Sequence, residues 1–483
     1  MFSRIDTSMR QNTDTLLLLT KYFDSIAERW DHWQERNQYY HQQIKHLLQF
    51  LIPQHASVLE LGCATGDVLH AVQPSVGVGV DISSAMVRIA RKKYPHYTFH
   101  TMNAEQLSLE QTFEYVVMSD LVGHLHDIQQ TLETARRMMT QRSRLIITYY
   151  NFIWEPILLL AEKLHLKTPQ PHQNWVNTHD LQNLLDLANF EIIRSGYRLL
   201  LPKNIPILSW LFNTYLSQIP FLRKFCIVRF IVARPRVEGI HPNRFSVSII
   251  IPARNERGNI EPAVQRIPKM GKKTEIIFVE GGSNDGTLDE IQRVVAAYKK
   301  KRSLSFCVQS GTGKANAVRE GFARATGDIL MILDADLTVA PEDLPKFYTA
   351  LAANRGEFVN GSRLVYPMEK QAMRFLNLLG NKFFSMMFTY LLDQKFKDTL
   401  CGTKVLFRTD YEKLTANRSY FGEFDPFGDF DLIFGAAKQN LKIVEMPIRY
   451  AERTYGETNI QRWRHGLLLL KMVSVAARRL KFV

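Results

Sequence analysis

Cysteine is scarce in this sequence of 483 residues, and the four cysteines (Cys63, Cys226, Cys307 and Cys401) follow no regular spacing. No two of them form a CxxC pair, which argues against a zinc site or a disulfide framework and fits a reducing cytosol. The longest apolar run near the N-terminus is four leucines, too short for the core of a signal peptide. We therefore expect a cytoplasmic protein.

Low-complexity sequence is also absent, and 46% of the residues are hydrophobic, so the chain has ample material for packed cores. Its length predicts two or three domains. The stretch "ARPRVEGIHPNRF" at 233–245 combines two prolines, a glycine and several charges. We place a linker at 237–245, between one domain at 1–236 and another at 246–483. The two halves share no evident repeat and are predicted to be different domains.

Acidic residues are few near two basic groups, and the chain has a net charge of +14. The first group is Arg223, Lys224, Arg229, Arg234, Arg236 and Arg244, and the second is Arg462, Arg464, Lys471, Arg478, Arg479 and Lys481. Both adjoin apolar stretches, which favours an anionic membrane surface at least as well as DNA, although a solvated basic face is the plainer alternative. No nucleic-acid-binding module is recognisable, so no nucleic-acid partner is expected.

Short β-rich runs alternate with helical segments twice along the chain. The first series includes "SVLELGCATGDVLHAV", "VGVGVDIS" and "SRLIITYY", and the second includes "FSVSIIIPARNE", "TEIIFVEGGSNDGT" and "DILMILDADLTV". This alternation is typical of parallel sheets with helical crossovers. The fold class is therefore predicted to be α/β in both halves.

A strand at Val58–Leu61 runs into small residues and then a helix in the stretch "VLELGCATGD". Small residues there let the backbone approach a ligand and leave helix N–H groups free. The pattern is GxAxG and not the GxGxxG of dinucleotide-binding folds. Fifteen residues after Gly66, Asp81 ends the next predicted strand, where a carboxylate can accept ribose hydroxyls.

These features resemble class I S-adenosylmethionine-dependent methyltransferases over roughly residues 20–200, with a Rossmann-like fold. The resemblance implies S-adenosylmethionine as cofactor. Glu60, Gly62 and Gly66 would hold its methionine part, Asp81 its ribose and Asn103 its adenine. Ser119 and Asp120 would line the transfer site. That family usually has glycine at Ala64 and aspartate at Asn103. His124 or His126 is a candidate base, although a structural role is the plainer reading. The alternative for this half is a non-catalytic scaffold or binding module.

Two carboxylates follow the apolar run "ILMIL" in the second half, in "LMILDADLTV". Neither Asp334 nor Asp336 has a basic neighbour in sequence. We expect an extended segment here, with both side chains on one side of it, because strand side chains alternate with period two. Two converging carboxylates are a hard-oxygen site for Mg²⁺ or Mn²⁺, which would bridge a diphosphate.

The order of motifs around this pair resembles family 2 glycosyltransferases of the GT-A fold, over about 246–465. The resemblance implies a nucleotide-sugar donor and a metal held by Asp334 and Asp336. The implied donor-binding residues are Pro252, Asn255 and Glu256 after the first strand, Glu280, Ser283 and Asp285 after the second, and Lys314 on a glycine-rich turn. The usual "VDDGS" reads "VEGGS" here.

Later motifs resemble polyprenyl- and dolichyl-phosphate sugar synthases, which implies a lipid-phosphate or lipid-linked acceptor. Arg363 and Arg374 are the implied grip on the acceptor phosphate, and Arg453 would close over the diphosphate; a surface salt bridge is the alternative for any one of them. Asp429 keeps a saccharide hydroxyl open as acceptor, because an acid at this position serves as base in related enzymes.

The stretch 374–392 is apolar nearly all round. It is interrupted by Asn377, Gly380, Asn381 and Lys382, so we expect a helix in the plane of a membrane, with a buried core helix as the alternative. Together these readings predict a bifunctional methyltransferase and inverting glycosyltransferase, peripheral at the cytoplasmic face of the membrane.

Overall fold

The computed structural model describes residues 16–167, 173–237, 243–366, 375–416, 429–451, 453, 455 and 462–482. The chain divides into two compact units between residues 237 and 238. Of the predicted linker, residues 238–242 lie outside the described residues. Within the described part of the chain, no helix combines the length and apolar character needed to cross a membrane.

The first unit contains one seven-stranded sheet flanked by helices. Its strands are β1 Ser57–Leu61, β2 Val76–Asp81, β3 Thr98–Thr101, β4 Phe113–Ser119, β5 Met139–Tyr150, β6 Phe190–Arg198 and β7 Val228–Pro235. Its helices are α1 (16–26), α2 Trp30–Arg36, α3 Gln38–Leu51, α4 Asp67–Val72, α5 Ser84–Lys93, α6 Ile128–Arg137, α7 Glu155–Lys163, α8 Thr178–Leu187 and α9 Leu208–Trp210.

The strand order of the first sheet is β3-β2-β1-β4-β5-β7-β6. The first five strands in that order pair in parallel, as the alternation of strands and helices predicts. The last two differ, because β7 runs antiparallel to β5 and β6 runs antiparallel to β7. The carboxyl ends of β1, β2 and β4 therefore meet at one edge, where ligands of open α/β sheets bind.

The second unit also contains a seven-stranded sheet. Its strands are β8 Val247–Ala253, β9 Thr274–Glu280, β10 Ser303–Val308, β11 Ile329–Ile332, β12 Phe358–Ser362, β13 Lys404–Phe407 and β14 Ile443–Pro447. Its helices are α10 Ile260–Arg266, α11 Thr287–Tyr298, α12 Gly313–Arg324, α13 Leu344–Ala352, α14 Phe375–Leu392, α15 Arg408–Ala416, α16 Asp429–Lys438 and α17 Arg462–Ala476.

The strand order of the second sheet is β10-β9-β8-β11-β13-β12-β14. β10, β9, β8 and β11 are parallel, whereas β13 runs antiparallel to both β11 and β12. Both sheets are thus mixed, with a parallel half that carries the predicted motifs. The central strands β8 and β11 are apolar and almost wholly buried, as expected for strands covered on both faces.

Residues 375–392 of the apolar stretch form α14, a helix as predicted, and its two sides differ in exposure. Phe388 is fully buried and has Phe430 and Phe434 of α16 as ring neighbours. Leu379 and Met386, at helical spacing on the other side, are 58% and 65% exposed. The helix is therefore a core element on one side and an exposed apolar surface on the other, and its placement in the plane of a membrane stays a prediction.

Candidate functional sites

The glycine loop of the first unit follows β1 and turns sharply into α4. Gly62 and Gly66 have φ values of +72° and +81°, which only glycine adopts freely, and a Cβ at Gly62 would lie 2.7 Å from Leu121. Ala64 lies between them at a φ of +45°, in the left-handed region that alanine disfavours. The loop therefore places its backbone at the edge of the sheet where ligands of open α/β folds bind.

Asp81 at the end of β2 holds this loop in place. One carboxylate oxygen accepts the backbone N–H of Ala64 and the other accepts that of Ser83, both at 2.8 Å. Burial raises the pKa of Asp81, although these two donors act in the opposite direction. Each oxygen retains a lone pair, so the predicted acceptance of ribose hydroxyls is compatible with this arrangement.

Glu60, predicted to contact the methionine part of the cofactor, is buried inside the same turn. Its carboxylate accepts the backbone N–H of Leu69 at 3.0 Å. Burial raises the pKa of Glu60 well above its usual value. The visible role of Glu60 is to join the strand end to α4, and its ligand contact stays a prediction.

Two acids from the N-terminal helices reach this edge of the sheet and were missed by the sequence reasoning. Asp24 accepts Ser83 Oγ at 2.6 Å and the backbone N–H of Ala85 at 3.0 Å. Lys93 Nζ lies 3.0 Å from Asp31 and 3.0 Å from Asp67 at the start of α4. The partners are distant in sequence, so no local motif marks them.

The remaining predicted cofactor residues lie near the ends of β3 and β4. Asn103 accepts the backbone N–H of Glu105 and caps a short helical turn. Ser119 Oγ lies 3.4 Å from Thr148 Oγ1. Asp120, at a φ of +53°, accepts the Tyr40 hydroxyl at 2.6 Å, and burial raises the pKa of its carboxyl.

Both candidate bases lie close to this group. His124 ends the short helical turn Val122–His124, and its ring lies 5.6 Å from that of Phe23. His126 is exposed, and its backbone N–H donates to Glu105. Neither placement tests a catalytic role.

Asp334 and Asp336 follow β11, which ends at Ile332. The expectation of an extended segment was wrong, because the backbone N–H of Leu337 returns to the carbonyl of Asp334 at 3.2 Å and closes a turn, with Leu337 at a φ of +51°. This turn depends on one local backbone hydrogen bond. The alternation of residue types along the sequence does not show such a bond. The two carboxylates are therefore positioned by a loop at the carboxyl end of the sheet.

Each carboxylate has a basic partner from elsewhere in the chain. Lys314 Nζ, at the start of α12, lies 2.5 Å from Asp334. Burial opposes ionisation of Asp334, but Lys314, with Lys404 and Arg363, lowers its pKa overall. Asp334 is consequently an anion near neutral pH, as a metal ligand has to be.

The second carboxylate and the donor-binding motif share Arg453. Its guanidinium donates to Glu256 at 2.8 Å and to Asp336 at 2.8 Å. Tyr455, two residues on, donates its hydroxyl to Asp285 at 3.1 Å. These contacts bring predicted residues from four separate motifs to one place.

The turns after β8 and β9 are joined by a network of predicted residues. Glu280 accepts the backbone N–H of Ser283 at 2.6 Å, and Ser283 Oγ accepts that of Asn255 at 2.9 Å. Asn255 has a φ of +56° and accepts the backbone N–H of Asn284. Pro252 lies within β8, one residue before its end.

Gly402 and Lys404 were not predicted, yet Gly402 lies directly against Asp334, and the charge of Lys404 lowers the pKa of that carboxyl. A Cβ added at Gly402 would be 2.1 Å from Asp334 Oδ2 and 2.5 Å from Lys314 Nζ. Lys404 is fully buried and donates to the carbonyl of Cys401 at 2.5 Å. The feature that marks Lys404 is its burial, and the sequence "DTLCGTKVLFR" does not show burial.

The arginines predicted to bind the acceptor phosphate have different outcomes. Arg363 forms a two-point pair with the fully buried Asp398, at 2.6 and 2.8 Å. Burial opposes ionisation of Asp398, but Arg363 lowers the pKa of that carboxyl to about 2. Arg374 lies outside the described residues, and Asp429 begins α16. The phosphate-binding and base roles stay predictions.

The second unit matches a known family. Residues 248–415 match the model of glycosyl transferase family 2. Dolichol-phosphate mannosyltransferase of Pyrococcus furiosus is 30% identical over 247 residues, which cover 49% of this chain and 67% of that protein. The chain belongs to glycosyl transferase family 2.

A second relative matches a shorter stretch. Dolichol-phosphate mannosyltransferase of Saccharomyces cerevisiae is 37% identical over 109 residues, which cover 22% of this chain. The matched part spans 40% of the length of that protein.

The first unit matches a different family model. Residues 32–195 match the model described as a methyltransferase domain. A solved S-adenosylmethionine-dependent methyltransferase of Thermotoga maritima, described as a possible histamine N-methyltransferase, aligns with 45% of this chain and 100% of its own, at 17% identity and a TM-score of 0.37. The chain thus joins an N-terminal methyltransferase domain to a C-terminal family 2 glycosyltransferase domain, as the sequence predicted.

Proposed function

We propose that the chain is bifunctional, and that its C-terminal domain moves a sugar from a nucleotide-sugar to a lipid phosphate. The observation that carries the proposal is the group formed by Glu256, Asp285 and Asp336 around Arg453 and Tyr455. Residues predicted to hold the donor and the metal meet there, at the carboxyl ends of neighbouring strands. Both relatives described above are named as dolichol-phosphate mannosyltransferases, which supports a lipid-phosphate acceptor.

The two aspartates fit a divalent cation that arrives with its substrate. The described residues contain no group of three side chains able to hold a metal ion by themselves. Two hard carboxylates suffice when a diphosphate supplies further oxygen ligands, which is how Mg²⁺ is commonly bound. A cation held there would offset the charge that develops on the departing diphosphate.

Lys314 and Arg453 are placed to exchange partners when the donor binds. Each now neutralises a carboxylate, and each has a side chain 27–28% exposed. A guanidinium binds phosphate oxygens as well as it binds carboxylates, so Arg453 can pass from Asp336 to the diphosphate without being left unpaired. Arg453 therefore stays paired both with and without the donor.

For the N-terminal domain we infer S-adenosylmethionine as cofactor. The supporting observations are the left-handed loop after β1 and the anchoring of that loop by Asp81. The bound cofactor supplies an electrophilic methyl group, while the chain positions it through the loop backbone and the β2 carboxylate. Asp120 and Tyr40 lie beyond the end of β4, where the methyl acceptor would approach.

The proposal for the C-terminal domain is tested by a thermal-shift screen of nucleotide-sugars. Because two carboxylates bind a cation weakly, Mn²⁺ alone should move the melting temperature of the full chain little. Mn²⁺ with the correct donor should raise it by several degrees, since only the combination completes the site. Polyprenyl phosphate is added last to seek a further shift. A full shift with Mn²⁺ alone, or none with any donor, would contradict this reading.

We also propose that the protein associates with the cytoplasmic face of a membrane, using the exposed side of α14 and the exposed basic residues Lys471, Arg478 and Arg479. Of the two basic groups defined from the sequence, Arg234 and Lys481 do not contribute, because both are buried and pair with Glu191 and Asp393. The full chain should co-sediment with vesicles rich in phosphatidylglycerol, and added salt should weaken the binding because it screens the attraction. Met386→Glu should reduce binding, since the exposed side of α14 becomes charged. Equal binding to neutral and anionic vesicles would remove the electrostatic part of the proposal.

A further inference from the structure

The connection between β6 and β7 is much longer than its topology requires. The two strands are antiparallel neighbours, and Arg198 at the end of β6 pairs with Val228 at the start of β7. A hairpin of two to five residues can close such a pair. Here the connection is residues 199–227, which we call the β6–β7 excursion. A segment of this length is an addition to the sheet, and its composition indicates its use.

Several uncharged polar side chains of the excursion point inward. Ser209, Asn213 and Ser217 follow one another at intervals of four residues and are all buried. Asn213 accepts the backbone N–H groups of Leu200 and Leu201, and Ser217 donates to the carbonyl of Asn213. The polar groups are thus consumed within the protein, mostly by backbone atoms.

The apolar side chains of the excursion point outward. Ile207 is 81% exposed and Phe221 is 68% exposed. The full set of exposed large apolar residues is Ile205, Ile207, Leu208, Trp210, Leu211, Tyr215, Ile219, Phe221 and Phe225. A surface helix in water has the reverse arrangement, with its apolar stripe facing the core. This inversion predicts an apolar surrounding for the outer side.

The exposed surface continues onto α7. Trp154, just before α7, donates its indole N–H to the carbonyl of Phe225 at 2.8 Å. On α7 itself Ile157 and Leu160 are 52% and 55% exposed. Two neighbouring segments therefore present one apolar surface, which monomeric proteins seldom leave open to water.

The charge of the excursion indicates what kind of partner its apolar surface meets. No aspartate or glutamate occurs from residue 192 to residue 237, whereas Lys203, Arg223 and Lys224 lie within the excursion. Trp210 and Tyr215, both exposed, are residue types enriched at the interface between lipid and water. We propose that the β6–β7 excursion, with α7 beside it, inserts its apolar side into an anionic lipid bilayer.

Two features favour lipid over a second copy of the chain. In a dimer formed through this surface, the basic side chains of both excursions would be brought together, and the excursion itself supplies no acid to pair them. The acids of α7 are Glu155 and Glu162, and Glu162 already pairs with Lys167. A bilayer instead offers phosphate groups above and acyl chains below, which matches a basic and apolar segment. Residues 208–218 are also continuously helical, so their backbone groups are largely satisfied internally, as burial in lipid requires. This surface does not depend on α14 or on the reaction proposed above.

The test uses the full chain and vesicles of phosphatidylcholine with about 30% phosphatidylglycerol. The double variant Ile207→Glu/Phe221→Glu should bind at least about tenfold more weakly than the wild type, because two apolar groups no longer enter the bilayer. The matched control is Leu187→Glu on α8, which places the same charge on a residue that is 54% exposed outside this surface. The control should bind like the wild type.

Two further measurements make the outcome decisive. The variants are exposed substitutions, and an unchanged melting temperature shows that a loss of binding is not unfolding. Arg223→Gln/Lys224→Gln should weaken binding to the anionic vesicles and leave binding to pure phosphatidylcholine unchanged. Wild-type binding in Ile207→Glu/Phe221→Glu would overturn the proposal. A dimeric wild type that becomes monomeric in this variant, with vesicle binding unchanged, would assign the surface to a second copy instead.

Discussion

Asp334→Asn and Asp336→Asn should each reduce glycosyl transfer by about 100-fold or more, because each removes one of two carboxylates proposed to hold the divalent cation. Stability should change by about 1 kcal/mol or less, since each change removes one partly exposed ion pair, with Lys314 or with Arg453. Activity would then fall far more than the melting temperature. The measurement is sugar transfer with Mn²⁺, with Mg²⁺ and with EDTA for the wild type and both variants.

The matched control for this experiment is Asp343→Asn. Asp343 also pairs with a single lysine, Lys346, but it lies before α13 and outside the site. Its transfer activity should equal that of the wild type. Full wild-type activity in EDTA, or near-normal turnover in Asp336→Asn, would show that the carboxylates serve another purpose, such as holding Lys314 and Arg453.

The second large effect is expected in the methyltransferase domain. Asp81→Ala should weaken S-adenosylmethionine binding by about 100-fold, because the variant loses a charged acceptor for the ribose and also the tie to the backbone of Ala64. Titration calorimetry on the full chain measures the loss. The melting temperature should also fall, since the N–H groups of Ala64 and Ser83 lose their acceptor.

Asp127→Ala is the control that separates a loss of stability from a loss of cofactor binding. Asp127 is also an acid that accepts a backbone N–H, that of Gln130, but it caps α6 instead of holding the glycine loop. This control should lose about 1 kcal/mol of stability with unchanged cofactor affinity. If the wild type itself gives no heat with S-adenosylmethionine, the domain is a scaffold or binding module. In that case Asp81→Ala should leave glycosyl transfer by the C-terminal domain unaffected.

Local patterns predicted the parts of the fold that local physics determines. The glycine loop and the strands before Asp81 and Asp334 follow from residue type and spacing within a few positions. The antiparallel direction of β7 and β13 was not predicted, because a strand's direction depends on the path of the chain between strands. The same limit applies to the turn at Asp336, which one backbone hydrogen bond decides.

Ion-pair partners were the least predictable part of the sites. Arg453 is 117 residues from Asp336, and Asp398 is 35 residues from Arg363. Each arginine was predicted to bind phosphate because of its motif. Nothing in that motif shows which carboxylate forms an ion pair with the arginine. The β6–β7 excursion was missed for a related reason. Ser209, Asn213 and Ser217 have the spacing of a water-facing stripe, and only the structure shows that this stripe points inward.

Gly402 leaves no room for a side chain beside Asp334 and Lys314 as they now lie. Its backbone does not require glycine through a left-handed φ; the requirement is room, because any Cβ would lie 2.1 Å from Asp334 Oδ2 and 2.5 Å from Lys314 Nζ. Every amino-acid replacement there, even alanine, displaces a carboxylate and its lysine together. A substitution at position 402 therefore acts on Asp334 and Lys314 at the same time, by displacing the ends of two flexible side chains.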